Sequence, residues 1–200
     1  VDEAVASIKD NLYLSSRAKK TNAISTEFFS NGTMSFNDVN ALKERVYELG
    51  LISKQEYAEL TDADYPDEDE NINVDISSQT IASFAGNFLE RLDEAGVEGS
   101  DTETEKGSKS LLALKEALTT AKKMLSDIDF AKNDPDFKES LAITLSSLRG
   151  TIHADTFEIL PLDDKVGISK VYQALEIVDK ISQKRLSNVK VDRYIQFSLE

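Results

Sequence analysis

The chain has no cysteine. Disulfides, thiolate metal sites and cysteine catalysis are thereby excluded. It also has no Trp, only three Pro and only eight Gly in 200 residues. So few breakers favour long uninterrupted elements over a turn-rich β-sandwich. One histidine, His153, leaves no pair of imidazoles for a His-ligated metal within the chain. No apolar run approaches the length of about 18 residues that marks a membrane-crossing helix, so no membrane insertion is expected. Neither glycine-rich phosphate loop is present, and no Gly-x-Ser-x-Gly elbow presents a serine.

Basic charge is in deficit. Twenty-three Lys and Arg face 37 Asp and Glu, a formal net charge of −14. Such a surface repels phosphate backbones and anionic lipid, so no nucleic-acid partner is expected. The small basic groups at Arg17, Lys19 and Lys20, and at Lys184 and Arg185, read as solvated helix ends. Val1 in place of Met implies an upstream segment, of which a signal peptide is one reading. A cytoplasmic location is expected, with export left open. The triplet Asn31-Gly32-Thr33 matches the glycosylation pattern but is short enough to arise by chance.

Against these absences stand 40% apolar residues, nine Phe and six Tyr, enough to build a core. Apolar residues recur every three or four positions along most of the chain, the helical period. Residues 2–19 read as a first helix, and 21–31 as a short turn carrying Ile24, Phe28 and Phe29. Ser35 followed by Asp38 is a capping-box pattern. Val39, Leu42, Val46 and Leu49 then share one face, and Gly50 stands where a left-handed C′ residue is wanted. Ser53 and Glu56 repeat the cap, and Tyr57 and Leu60 give a second stripe. Residues 36–60 therefore predict a tight helical hairpin with Leu51 and Ile52 in its corner.

The stretch Leu42 to Tyr57, with Gly50, two apolar residues, Ser53, Glu56 and Tyr57, resembles short helical hairpins at the C-termini of many bacterial proteins. The resemblance covers under a tenth of the chain and implies an oligomerisation or docking element rather than an enzyme.

Residues 62–76 form an acidic linker, in which like charges oppose compaction. Ser77 or Ser78 caps the next helix, whose face is Ile81, Phe84, Ala85, Phe88, Leu89, Leu92 and Ala95. Residues 97–109 have almost no apolar content and read as a loop. Ser110 opens a helix on Leu111, Leu114, Leu118, Ala121, Leu125 and Ile128. Asn133 or Asp134 before Pro135 marks the start of another, with Pro in the first helical position and Gly150 at its end. The segment 156–162 looks extended, and 166–186 is a long helix. The tail alternates, with Val189, Val191, Ile195, Phe197 and Leu199 on one side, and reads as a strand that pairs with 156–160, pairs with another chain or frays, the first being preferred.

The fold class is therefore all-α, a helical bundle of about six or seven helices with a small C-terminal β element admitted. We divide the chain into an N-terminal helical region (1–61) holding the hairpin, the acidic linker (62–76) and a C-terminal helical bundle (77–200).

Chemistry has few places to stand. Asp67, Asp69, Asn71, Asn73 and Asp75 occupy alternate positions like the first ligands of an EF-hand, with Val74 in its apolar position. Ile72 replaces the turn glycine and Ser78 the bidentate Glu, so a solvated loop with at most weak cation binding is expected. His153 near a helix end reads as structural. Phe28, Phe29, Phe84, Phe88, Phe130 and Phe137 read as core before they read as a pocket. No catalytic, cofactor-binding or metal residues are assigned, and no cofactor. The leading expectation is a non-enzymatic protein–protein interaction or adaptor protein, bacterial, with a protein partner of basic character; oligomerisation through the hairpin or the C-terminal strand is open. The alternatives are a small-molecule-binding or catalytic helical domain with an interior pocket, and an acidic nucleic-acid mimic or weak calcium-responsive binder.

Overall fold

A computed structural model describes residues 16–62, 79–94, 105–131 and 133–183. They form α1 (16–28), a 3-10 turn (Ser30–Gly32), α2 (Phe36–Glu48), α3 (Lys54–Asp62), α4 (Ile81–Glu94), α5 (Glu105–Ser126), a single turn α6 (Ile128–Ala131), α7 (Phe137–Ile152), a second single turn α8 (Asp155–Glu158) and α9 (Leu162–Gln183). Among the described residues the architecture is an all-α bundle with seven longer helices. Among the described residues there is no strand, only one antiparallel bridge between Ser35 and Thr80. The acidic linker from residue 63 onward, the EF-hand-like spacing at 67–78 and the alternating tail at 189–199 lie outside the described residues.

The hairpin forms as its caps dictate. The Asp38 carboxylate accepts from the Ser35 amide at 2.8 Å, and Ser35 caps the N3 amide in return. Glu56 and Ser53 make the same exchange at the start of α3. Gly50 has φ +66°, a region that costs an L side chain about 1–2 kcal/mol. Leu51 and Ile52 fill the corner, both buried. The apolar face of α2, made by Val39, Leu42 and Val46, is buried against α9, so this stripe is spent inside the chain.

Helix α5 packs between α4 and α7, and α9 lies across α4 and α7 while also meeting α2. This leaves α9 enclosed on nearly every side. Val166, Ile168, Val171, Leu175 and Val178 are buried, and so are Ser169, Lys170 and Gln173 between them. At the α4–α9 crossing the ring of Phe84 lies against Gly167, where any Cβ would overlap it. Phe36 and Phe88 hold that ring from two sides, with centroids at 5.5 and 5.9 Å.

Several boundaries differ from the sequence reading. Helix α1 runs through 21–28 instead of stopping at 19. Its inner face is partly polar: Arg17 and Ser25 are buried beside Ile24, which disguises the period. Arg17 Nη2 donates to the Ile181 carbonyl at 3.0 Å, putting a cation near the carbonyl-rich end of α9. The cap of α4 is Thr80, whose hydroxyl accepts from the Ser83 amide at 3.1 Å, not Ser77 or Ser78. Helix α5 begins at Glu105, five residues before Ser110, because helix-compatible polar residues can extend an amphipathic helix without apolar content. Pro135 is not the first residue of α7. It sits in a turn closed by the Asp134 carboxylate accepting from the Asp136 amide, and Asp136 is the N-cap. Gly150 does not end α7, which continues to Ile152. The segment 156–162 is not extended: Asp155–Glu158 is a helical turn, and the strand partner proposed for the tail is absent there.

Two glycines of helical backbone give opposite expectations. Gly167→Ala drives a methyl into a ring that cannot retreat. Overpacking costs about 1–3 kcal/mol and outweighs the ~1 kcal/mol gained in helix propensity. Gly150 faces open space, so Gly150→Ala should stabilise by about 0.5–1 kcal/mol. Urea unfolding of the two variants checks both signs.

Candidate functional site

The candidate site is the corner between α7 and α9, where large apolar side chains are exposed. Its base is pinned by ordinary chemistry. The Phe157 amide donates to the Ala154 carbonyl at 2.9 Å, closing the α8 turn. The Phe157 side chain is buried as a peg, and Leu160 is half-buried beside the core. Pro161 restricts both itself and the residue before it. Its carbonyl accepts from the amides of Asp164 and Lys165, both at 3.0 Å, and so starts α9.

A bidentate ion pair fixes the far side. Arg91 of α4 donates from Nη1 and Nη2 to the two oxygens of Asp164 at 3.0 and 2.5 Å. Asp164 is buried in the first turn of α9, where the helix dipole favours a negative charge. The hydrogen bond to Asp164 holds the Arg91 guanidinium above its ordinary value, and burial opposes this in part. Arg91 also lies over the Phe88 ring, 5.2 Å from its centroid. Lys165 reaches back to Glu158 at 3.3 Å across the corner.

What this frame displays is apolar. Ile159 is 82% exposed and Leu162 is 42% exposed, three residues apart. Exposed Asp155 and Glu158 and half-buried Asp163 stand around them. Sequence reading passed over Ile159 and Leu162 because 156–162 looked like a strand. In that reading alternate residues face inward; a helical turn with a proline turns these two outward.

A second cluster lies on the seam of α2 and α9. Lys170 is only 5% exposed, and its Nζ makes a long hydrogen bond of 3.5 Å to Asn40 Oδ1. Burial, and then the charge of Lys43, lower the Lys170 ammonium to about 8. Lys43 itself lies 5.9 Å from the Tyr57 ring centroid, and Tyr57 stacks on Tyr47 at 4.7 Å. The arrangement places a cation inside the protein.

His153 is exposed at the C-cap of α7, its amide bonded to the Arg149 carbonyl. Phe29, Phe84, Phe88 and Phe137 are buried and Phe28 is half-buried; the Phe130 side chain lies outside the described residues. The cavity lined by Thr21, Ile24, Phe29, Ile128, Val178 and Ile181 holds about 20 Å³, room for one water. No group of three or more acidic or imidazole side chains that could hold a metal occurs among the described residues. No helix of the described residues is long and apolar enough to cross a membrane.

Two measurements test this electrostatic picture. Arg91→Ala leaves the Asp164 carboxylate buried without its main donor and should cost about 1–3 kcal/mol in urea unfolding. Lys170 gives a pH dependence whose sign is fixed. Its folded value is depressed, so the unfolded chain binds the extra proton between about pH 8 and its ordinary value, and stability rises with pH there. Tyr172 works the other way at higher pH: burial and then Glu176 raise its folded value, so stability falls above about pH 10. Relative to Lys170→Met, the parent chain should therefore gain roughly 1–2 kcal/mol between pH 7.5 and 9.5; a pH-independent difference contradicts the assignment. Comparison of the chain with family models, with curated proteins and with solved structures finds no match.

Proposed function

We propose that this chain is a non-enzymatic interaction or adaptor protein that binds another protein through its outer helical surface. One observation carries the reading. The chain closes a dense core and still leaves two large apolar side chains three residues apart outside it, Ile159 at 82% and Leu162 at 42% exposed. Each forgoes a part of the roughly 1.5–3 kcal/mol that full burial would give. Exposed apolar residues beside a strongly acidic surface suit a partner that is basic around an apolar centre.

The bacterial setting belongs to the same proposal and rests on the resemblance of residues 42–57 to bacterial hairpins. A cytoplasmic location goes with it. The net charge of −14 favours a basic protein over nucleic acid or anionic lipid. The interior-pocket alternative gains nothing from the cavity beside Phe29, which has room for one water.

Size-exclusion of extract from cells that make the chain tests the proposal. At 50 mM salt the chain should elute in a complex larger than the purified 22.2 kDa protein, and it should move to its own size at about 1 M salt as the charges are screened. Elution with the purified protein under both conditions contradicts the reading.

A further inference from the structure

We infer that the corner at residues 155–163 is the docking surface, and that it takes a protein presenting an apolar pocket rimmed by Lys and Arg. The inference rests on the interaction reading above and narrows it to one place and one partner chemistry.

The corner differs from other exposed apolar positions in three ways. First, its two exposed side chains are three residues apart, on either side of Pro161 between α8 and α9. Ile143 and Leu112 stand on separate helices, and single exposed apolar residues are ordinary. Second, the corner is held in place before binding. Phe157 is pegged into the core, the Pro161 carbonyl is bonded twice, and Arg91 clasps Asp164. A partner would gain the apolar contact without the cost of ordering a loop. Third, the rim has one dominant sign. Carboxylates outnumber cations among its described residues: Lys165 is paired with Glu158 and Arg91 with Asp164, which leaves Asp155 and Asp163 in excess.

The rim decides among occupants. A second copy of the chain would bring acidic rim to acidic rim, with a net charge of −14 on each side. An acidic or neutral apolar pocket would strip water from the rim carboxylates without giving them partners. A basic rim supplies those partners and also speeds encounter.

The test uses the full chain in cells that make it, with photoreactive benzoylphenylalanine in place of Ile159 and, as a control, in place of exposed Thr119 of α5. Adducts are mapped by peptide mass spectrometry, and repeated in an Asp155→Lys/Asp163→Lys variant whose helical dichroism is checked. The inference expects adducts from position 159 to gather on one protein, at an apolar segment flanked by Lys or Arg. It expects them to fall at least tenfold on charge reversal. Adducts spread over many proteins as at position 119, adducts to a second copy, or adducts unchanged by charge reversal overturn it. If the size-exclusion complex exists and any of these results is found, only the corner assignment fails. If no complex exists, the interaction reading fails and this inference with it.

Discussion

The structure depends on one constraint: α9 is a helix enclosed on nearly every side, yet it carries charged and polar residues along its length. A helix of this kind must either be apolar all round or give each polar group a partner. This chain does the second. Asp164 takes the Arg91 fork, Ser169 bonds back to the Lys165 carbonyl at 2.8 Å, Lys170 reaches Asn40, and the Ile181 carbonyl receives Arg17. These partners come from α4, α2 and α1 in turn, so satisfying one helix ties the others around it. Gly167 belongs to the same constraint, because only a missing Cβ lets Phe84 and its aromatic neighbours close on α9.

The corner before α9 follows from that arrangement. Because Asp164 is fixed from α4 and Phe157 from the core, the chain between them has little freedom. Leu160 turns inward, and Ile159 and Leu162 are left outside. The apolar display is thus on a rigid element, where a binding surface is most effective. The excess of carboxylates works beside it, since repulsion between like charges keeps such a surface from sticking to itself.

Much of the fold was legible in the residues because amphipathic period and capping are local. The Ser35–Asp38 and Ser53–Glu56 caps, the turn at Gly50, and the stripes on α4 and α5 are all read within a few residues of themselves. What was not legible depends on contacts far apart in sequence. Arg17 reads as part of a solvated basic end, yet it is buried 164 residues away from its partner Ile181. Ser169, Lys170 and Gln173 are polar, and nothing local in the sequence says that they are buried or that Lys170 meets Asn40 of α2. Thr156 to Leu162 alternates enough to suggest a strand, and only the peg at Phe157 and the start of α9 at Pro161 make it a turn. The corner was missed for that reason, since its exposure follows from the turn and not from its composition.

Native-state hydrogen exchange read amide by amide tests the enclosure of α9 most directly. The account predicts that amides of Ile168 to Val178 exchange only through global unfolding, as slowly as those of Leu118 to Leu125 in α5. Exchange in that stretch as fast as in the outer helix α3 would contradict it, since a helix that opens locally is not the enclosed centre on which the rest is built.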